Sequence, residues 1–494
     1  MIDLSTAFLL FCGLGLYILW RKTTRNVKLP PGPPTTPFFG NLNVKLDNLP
    51  ETFREYRLKY GDVFSLILGS KTMVVVNGLE TLKEVFIKNG DITSDRPDMF
   101  IAKEIGHYKG IASSSGSRWK EHRTFTIGAL REFGFGKRSL ESKVMEEVEV
   151  LIKVIGEQNG TPFNIRGLLT LCVSNIMCSI NFGQRYEHTD EFFMSLLEKI
   201  NQNLGNSNVM FVATIFPFLK YIPYDPFGIK RNLRNADDVE KHLTLVIKEH
   251  EETYDENNLR DYVDIYLKRM KSERGSPEST FDHEQLLKTI GDLFVAGTET
   301  TSTAVQWFIV LLINHPEVQN LMRQEIRDVI GTSRYPCMED RAKLPYTEAV
   351  LHEVLRFGCI GPLALPHGLT KDFNYKGSVI PKDSMLIPNL HSVLYDPEIF
   401  DEPEKFRPTR FLDTDRKLVN VDKVLVFSLG RRVCPGESLA RMEFFLFTTS
   451  LVQRFKLLPS DPNHLPSTKG KLGITLAPEQ FTFRAVEVES LNTL

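Results

Sequence analysis

The sequence predicts a mainly α fold with a minor β part (α+β), built as one large domain behind an N-terminal membrane anchor. Three observations predict it. Helical periodicity dominates from Ser117 onward, and its longest stretch runs from Asp282 to Ile313. β-rich runs are few and short. After Pro37 no internal repeat, low-complexity tract or second linker divides the chain. A length of 494 residues alone would suggest about three domains. The undivided pattern instead gives an anchor over 1–20, a basic and proline-rich linker over 21–45, and one domain over 46–494.

The elements follow in order. Leu4–Trp20 is an almost unbroken apolar run of 17 residues. As a helix it extends about 26 Å, at the lower edge for a ~30 Å hydrocarbon core. Asp3 precedes the run and no small-residue cleavage site closes it, which opposes a cleaved signal peptide. Arg21, Lys22, Arg25 and Lys28 follow it, so the bulk of the chain is expected on the cytoplasmic side. Leu29-Pro30-Pro31-Gly32-Pro33-Pro34 cannot continue a helix and reads as a semi-rigid spacer. Val63–Leu68 and Thr72–Val76 flank Gly69-Ser70 as a hairpin. Leu79–Asn89 reads as a helix ended by Gly90.

Further helices are expected near Ser117–Arg131, Leu140–Glu157, Ile165–Ile180 and Asp237–Tyr254. The Asp282–Ile313 helix would run about 48 Å, enough to cross a whole domain. Asp282 can cap it, with Gln285 three residues on, and Asn314-His315-Pro316 marks its end. Glu317–Val329, Thr347–Phe357 and an amphipathic Glu437–Phe455 complete the helices. Phe373–Ile380 and Leu472–Ala477 read as short strands. Asp396–Gly430 is long and irregular, as a functional or pinned segment would be.

Composition excludes several function classes. With 42% hydrophobic and 25% charged residues the chain is ordinary for a globular protein. Lys plus Arg is 60 and Asp plus Glu is 62, a net charge of −2. That balance argues against nucleic-acid binding and against an acidic disordered chain. Six cysteines without a C-x-x-C pair argue against a disulfide scaffold and a structural zinc site.

One cysteine differs from the rest. Cys434 sits between Gly430 and Gly436, beside Arg431 and Arg432, just before a helix start. Positive charge and a helix N-terminus lower a thiol's pKa, and turn amides can point at its sulfur. This is a site for a persistent thiolate. Cys12, Cys172, Cys178, Cys337 and Cys359 lack such surroundings and read as inert. Phe427, Gly430, Arg432, Cys434 and Gly436 together resemble the haem-binding loop of the cytochrome P-450 superfamily, within it the microsomal family-two group. The proline-rich run and Gly40-Asn41 are also typical of microsomal members. The resemblance extends over essentially the whole chain. It implies the cytochrome P-450 fold, a haem-thiolate catalytic domain over 46–494, and Cys434 as the axial thiolate ligand of haem b, which favours O–O cleavage.

Ala296-Gly297-Thr298-Glu299-Thr300-Thr301 lies midway along the long helix. A glycine beside hydroxyls that bond the previous turn predicts a local opening. An acid next to an alcohol there can relay protons. The resemblance makes this the oxygen-activation motif, with Thr300 and Glu299 as catalytic residues and Ala296 facing the haem. Trp119 and Arg123 share one helix face at i and i+4. The resemblance places both on a haem propionate with Arg432, and adds Arg96 and His367 as further donors. It also implies a structural Glu353–Arg356–Arg410 network that ties down the irregular segment.

The resemblance implies a membrane-bound monooxygenase of the endoplasmic reticulum, with its catalytic domain on the cytoplasmic face. It would hydroxylate or epoxidise a lipophilic substrate such as a fatty acid, a steroid or a xenobiotic, using O2. The pocket would draw on Phe100–Ser115, Phe192–Phe216, Ala296, Gly361–Pro366 and the turn near Ile474. No G-x-G-x-x-G fingerprint is present, so NADPH electrons are expected through a separate NADPH–cytochrome P-450 reductase, with a b-type cytochrome as a second candidate donor. Arg118, Lys120, Arg131, Lys137, Arg138, Arg431 and Arg441 offer a basic face for such a partner. Two other readings are a haem-thiolate isomerase or dehydratase working without reductase, and a non-catalytic haem protein.

Overall fold

Helices carry most of the chain in this computed structural model, which describes Gly15 and residues 28–36, 40, 41, 44, 45, 48–132 and 138–488. The expected anchor over 1–20, apart from Gly15, and most of the basic stretch after it lie outside the described residues. Among the described residues no helix is long and apolar enough to cross a membrane. The main helices are α1 (Leu49–Tyr60), α2 (Gly116–Glu132), α3 (Arg138–Glu157), α4 (Arg166–Asn181), α5 (Glu191–Gly205), α6 (Ser207–Ile215), α7 (Ile229–Glu252), α8 (Tyr262–Ser272), α9 (His283–Asn314), α10 (Pro316–Val329), α11 (Pro345–Gly358) and α12 (Glu437–Arg454).

Among the described residues the strands form one three-stranded sheet and three two-stranded ones. β1 (Val63–Leu68) pairs antiparallel with β2 (Lys71–Val76), as the Gly69-Ser70 turn predicts. β3 (Phe373–Tyr375) and β4 (Ser378–Ile380) form a hairpin, and β5 (Met385–Pro388) joins β2 in parallel. β6 (Phe455–Pro459) pairs with β9 (Phe483–Glu487), and β7 (Gly470–Leu472) with β8 (Leu476–Pro478). Two runs read as single strands are therefore hairpins. Phe373–Ile380 folds at Lys376-Gly377, both at positive φ (45° and 80°), the geometry of a tight two-residue turn. Leu472–Ala477 folds where the Gly473 amide donates to Thr475 O at 2.8 Å.

α9 crosses the core, packed against α4, α11 and α12. Asp282 caps it, its carboxylate accepting from the Gln285 amide at 2.7 Å. The reciprocal bond of a capping box is not made, because Gln285 Nε2 turns inward to Gly110 O (3.1 Å) and Thr289 Oγ1 (3.3 Å). From Thr301 to Ile313 every residue is buried. The expected opening at the Ala296–Thr301 motif is absent: the helix stays continuous, and hydroxyls such as Ser302 Oγ bond back to the preceding turn. Gly297 serves close packing instead, since a Cβ there would lie 2.4 Å from Met177 Sδ of α4.

α12 is not amphipathic. Its residues from Met442 to Gln453 are buried all round, because it runs between α3, α9 and α10. The helix read over Leu79–Asn89 turns into a π-helical stretch at Glu84–Lys88, and Gly90 opens a further short helix.

The proline-rich run is clamped to β1. Ser65 donates to Pro31 O through its amide (2.8 Å) and to Pro30 O through its hydroxyl (2.6 Å). Asn41 Nδ2 donates to Pro33 O and Pro34 O (both 3.0 Å), while its Oδ1 accepts from the Ile67 amide at 2.6 Å. The irregular segment is pinned as expected. Glu353 and Arg356 are fully buried and joined through both carboxylate oxygens (2.7 and 2.9 Å). Arg410 Nε reaches Glu353 Oε1 at 3.1 Å, and the Arg407 amide reaches it at 2.8 Å. Pairing is what makes these buried charges tolerable.

Candidate functional site

The loop before α12 is shaped by one required glycine. Gly430 has φ +74°, and a Cβ there would lie 2.2 Å from Phe86 O. Gly436, at φ −93°, needs no special backbone freedom, contrary to the sequence expectation. The Cys434 amide donates to Phe427 O at 2.9 Å and closes the loop. Phe427 carries the Arg441 guanidinium over its ring at 4.8 Å.

Burial, with the Glu437 charge, pushes the half-buried Cys434 thiol up on balance, while the Gly436 amide and the positive charge of Arg123 pull it down. The expectation that Arg431 and Arg432 supply this charge is corrected. Arg432 faces away, donating to Ser94 O (2.7 Å), Ile111 O (3.2 Å) and Ser114 O (2.6 Å). Arg431 is exposed. The nearby charge comes from α2, where Arg123 donates to Val433 O.

Three arginines converge here. Arg432 lies 3.8 Å over the Trp119 ring. Arg96 is tied to Ala112 O (2.8 Å), Leu365 O (3.1 Å) and Pro366 O (2.8 Å). Burial and like-charge repulsion push Arg432 down to about 8 and Arg96 to about 10. Among the described residues no carboxylate forms an ion pair with Arg96, Arg123 or Arg432, and the buried Trp119 Nε1 has no hydrogen-bond partner. Guanidinium does not shed its charge in proteins, so these desolvated, mutually repelling cations, Arg432 buried and Arg96 and Arg123 half-buried, call for an anion. Two haem propionates fit that requirement, and the residues present fit the group.

His367 is brought to the same place. Its Nδ1 bonds Thr93 O at 2.7 Å, and burial with the Arg96 and Arg432 charges pushes it down to about 3. Neutral at pH 7, it spends its one proton on Thr93 O and leaves Nε2 as an acceptor, so the expectation that it donates to a propionate is corrected: it fixes the loop beside the arginines instead. Sequence reasoning missed Asp292, two helical turns before Thr300. Its Oδ2 accepts from the Ile111 and Ala112 amides (both 2.8 Å), holding the loop that bonds Arg96 and Arg432, and burial pushes it up to about 6.

On α9, Ala296 and Thr300 are exposed on one face of a helix whose next turns are wholly buried. Thr300 Oγ1 donates to Ala296 O at 2.8 Å. Glu299 does not meet the Thr300 hydroxyl. Its Oε1 accepts from Thr475 Oγ1 at 3.0 Å, at the tip of the β7–β8 hairpin, and burial pushes its pKa up. Ile474 beside Thr475 and Leu365 beside Pro366 are exposed apolar residues.

Of the expected basic face, Lys120, Arg131 and Arg431 are exposed and Arg118 is half-buried. Arg441 is occupied by Glu437 at 2.9 Å. Lys137 lies outside the described residues, as does the side chain of Arg138.

The family model described as Cytochrome P450 matches residues 30–485. Cytochrome P450 2C25 of Mesocricetus auratus is 39% identical over 459 residues, covering 92% of this chain and 93% of its own. Cytochrome P450 2C8 of Homo sapiens is 38% identical over 470 residues, covering 94% and 96%. Cytochrome P450 2C6 of Rattus norvegicus is 41% identical over 447 residues, covering 90% of each. The match spans nearly the whole chain and includes the Cys434 loop, the arginine cluster and α9, so the chain belongs to the cytochrome P450 family of haem-thiolate monooxygenases, oxidoreductases that bind haem b through a cysteine thiolate.

Proposed function

We propose that this protein is a monooxygenase of the endoplasmic reticulum membrane, with its catalytic domain on the cytoplasmic face. It hydroxylates or epoxidises a lipophilic small molecule, a fatty acid, steroid or xenobiotic, and receives NADPH electrons from a separate NADPH–cytochrome P-450 reductase. A b-type cytochrome is a second candidate donor. The observation that carries the reading is the group of three arginines that no carboxylate pairs among the described residues, Arg432 buried on the Trp119 ring and Arg96 and Arg123 half-buried, next to the Cys434 loop. The microsomal-type apolar run and the basic residues after it support the membrane assignment.

Bound haem supplies O2 activation and oxygen transfer. Cys434 holds a thiolate, and the Gly436 amide and Arg123 charge favour its ionised form. Arg96, Arg123, Arg432 and Trp119 bind the two propionates by charge-assisted hydrogen bonds. His367 keeps its neutral ring fixed on Thr93 O. Ala296 leaves room on the helix face, and Thr300 holds a proton at Oγ1 on that face. Glu299 is the acid in proton delivery, oriented by Thr475. Leu365 and Ile474, exposed apolar side chains, would offer an apolar lining to a lipophilic substrate.

The test is spectroscopic and then kinetic. The reduced, CO-treated protein should show the red-shifted thiolate band, and Cys434→Ala should lose it. Retention of the band in Cys434→Ala removes the ligand assignment. Turnover should require NADPH, reductase and O2; turnover of a peroxide without them favours the isomerase or dehydratase reading. A screen of fatty acids, steroids and xenobiotics by haem spin-state shift identifies the substrate class.

A further inference from the structure

One cluster of metal-ligating side chains lies apart from the cysteine loop. Glu147 stands on α3, Cys172 on α4, and His188 in the connection from α4 to α5. A carboxylate oxygen, the thiol sulfur and an imidazole nitrogen from these three residues all lie within 4.8 Å of one another. The sequence shows no metal-ligand spacing here, because the three donors come from three separate segments.

The hydrogen bonding around this cluster is incomplete. The Glu147 side chain is 2% exposed, and its Oε1 accepts from Arg185 Nε at 2.5 Å. Its Oε2 is buried without a partner. His188 Nε2 is also buried without a partner, 3.9 Å from that oxygen and too far to bond it. Two buried acceptor-capable atoms that face each other unpaired are costly. The other cluster of this kind, His250, Asp261 and Asp264, is internally satisfied: His250 Nε2 bonds Asp261 at 2.8 Å, and Arg260 bonds Asp264 at 2.7 Å.

The backbone around the cluster is well held. Asn175 of α4 bonds Tyr186 through both its amide nitrogen (2.9 Å to Tyr186 O) and its oxygen (3.0 Å from Tyr186 N). This fastens the connection to α4 two residues before His188. The His188 side chain is 22% exposed, which gives an ion an entry side.

We propose that Glu147, Cys172 and His188 form a Zn2+ site, distinct from the haem, that ties α3, α4 and the connection before α5 together. A thiolate, an imidazole and a carboxylate suit a borderline-soft cation such as zinc and not calcium or magnesium. Zinc bonds of ~2.0–2.3 Å set tetrahedral donors roughly 3.3–3.8 Å apart, so donor pairs within 4.8 Å need to contract by up to about 1.5 Å. Binding forms one Zn–S, one Zn–N and one Zn–O bond and releases the Cys172 thiol proton to solvent. Arg185 stays on Glu147 Oε1 and orients Oε2 toward the metal. A water molecule completes the fourth position.

The experiment uses the purified full-length haem-loaded protein, stripped with a chelator and titrated with Zn2+ against a chromogenic zinc indicator. One equivalent should bind at micromolar zinc. Cys172→Ser and His188→Gln should each weaken it at least 100-fold while keeping the haem-to-protein ratio. Cys337→Ser, at the half-buried cysteine elsewhere on the surface, should bind as the parent does. X-ray absorption at the zinc edge should show one sulfur ligand. His188 is partly exposed, so His188→Gln remains informative if Cys172→Ser fails to fold. Absence of binding at micromolar zinc, parent-like binding in both cluster variants, or loss in Cys337→Ser alone would overturn the proposal.

Discussion

The hydroxyl of Thr301 donates to Glu443 Oε2 at 2.7 Å, joining the helix that carries Thr300 to the helix that follows Cys434. Glu443 is 1% exposed, its Oε1 has no partner, and burial pushes its carboxyl up to about 8. It is therefore largely protonated at pH 7 in the folded protein and ionised in the unfolded chain.

That difference makes stability depend on pH. A folded pKa raised from 4.5 to about 8 contributes stability that is full below pH 4.5 and is lost as pH rises through 8. The loss should amount to a few kcal/mol, on the scale of ~1.4 kcal/mol per pKa unit. Glu443→Gln keeps a neutral partner for Thr301 and removes the titration. Thermal midpoints of parent and variant between pH 5 and 9 should diverge, with the variant falling less. Parallel curves would show that Glu443 does not titrate in this range.

This pair also shows what the sequence could and could not disclose. The β1–β2 hairpin, the ends of α9 and the Cys434 loop rest on local signals: a two-residue turn, a capping aspartate, a fixed ten-residue pattern. Thr301–Glu443 spans 142 positions and Glu299–Thr475 spans 176, and no local pattern marks either. A polar Thr475 between Ile474 and Leu476 is the sole hint of the second. The arginines were legible as candidates, but their directions were not. Arg432 is adjacent in sequence to the Cys434 loop yet faces Trp119, while Arg123 approaches from α2. The two hairpins read as single strands turn at Lys376-Gly377 and at Gly473, glycine signals that lie inside each run and that its flanking apolar residues outweigh in a reading by pattern.

Thr475 orients Glu299 and, as a donor to it, favours the ionised form. Thr475→Val removes that donor, so Glu299 should ionise at higher pH. The ratio of product formed to NADPH consumed should shift its pH profile upward by up to about one unit, since one hydrogen bond to a charged group contributes roughly 1.5–3 kcal/mol before relaxation. Thr300→Ala should lower the ratio at every pH. An unchanged profile in Thr475→Val would separate Glu299 from proton delivery.

Arg432 acts through shape as well as charge. Its planar fork reaches three carbonyls while its face stacks on Trp119. Lysine keeps the charge but can reproduce neither the fork nor the stack. Arg432→Lys should therefore fold with a reduced haem-to-protein ratio and faster haem transfer to apomyoglobin, several-fold above the parent. Haem retention equal to the parent would mean that charge alone suffices there.

The two glycines flanking Cys434 should respond differently to alanine. At Gly430 the added Cβ meets Phe86 O at 2.2 Å, a backbone atom that cannot swing away, and φ is +74°. The left-handed backbone alone costs ~1–2 kcal/mol, and the clash adds to it, so Gly430→Ala should lose about 3 kcal/mol or more. At Gly436 the backbone is ordinary and the added Cβ meets only Cys434 Sγ at 4.0 Å. Gly436→Ala should keep stability within about 1 kcal/mol, apart from the modest glycine-to-alanine entropy gain. Urea unfolding of both variants, read by far-UV circular dichroism, separates them. A Gly436→Ala loss as large as that of Gly430→Ala would mean that the cysteine loop is held by the helix start and not by its approach to Phe86.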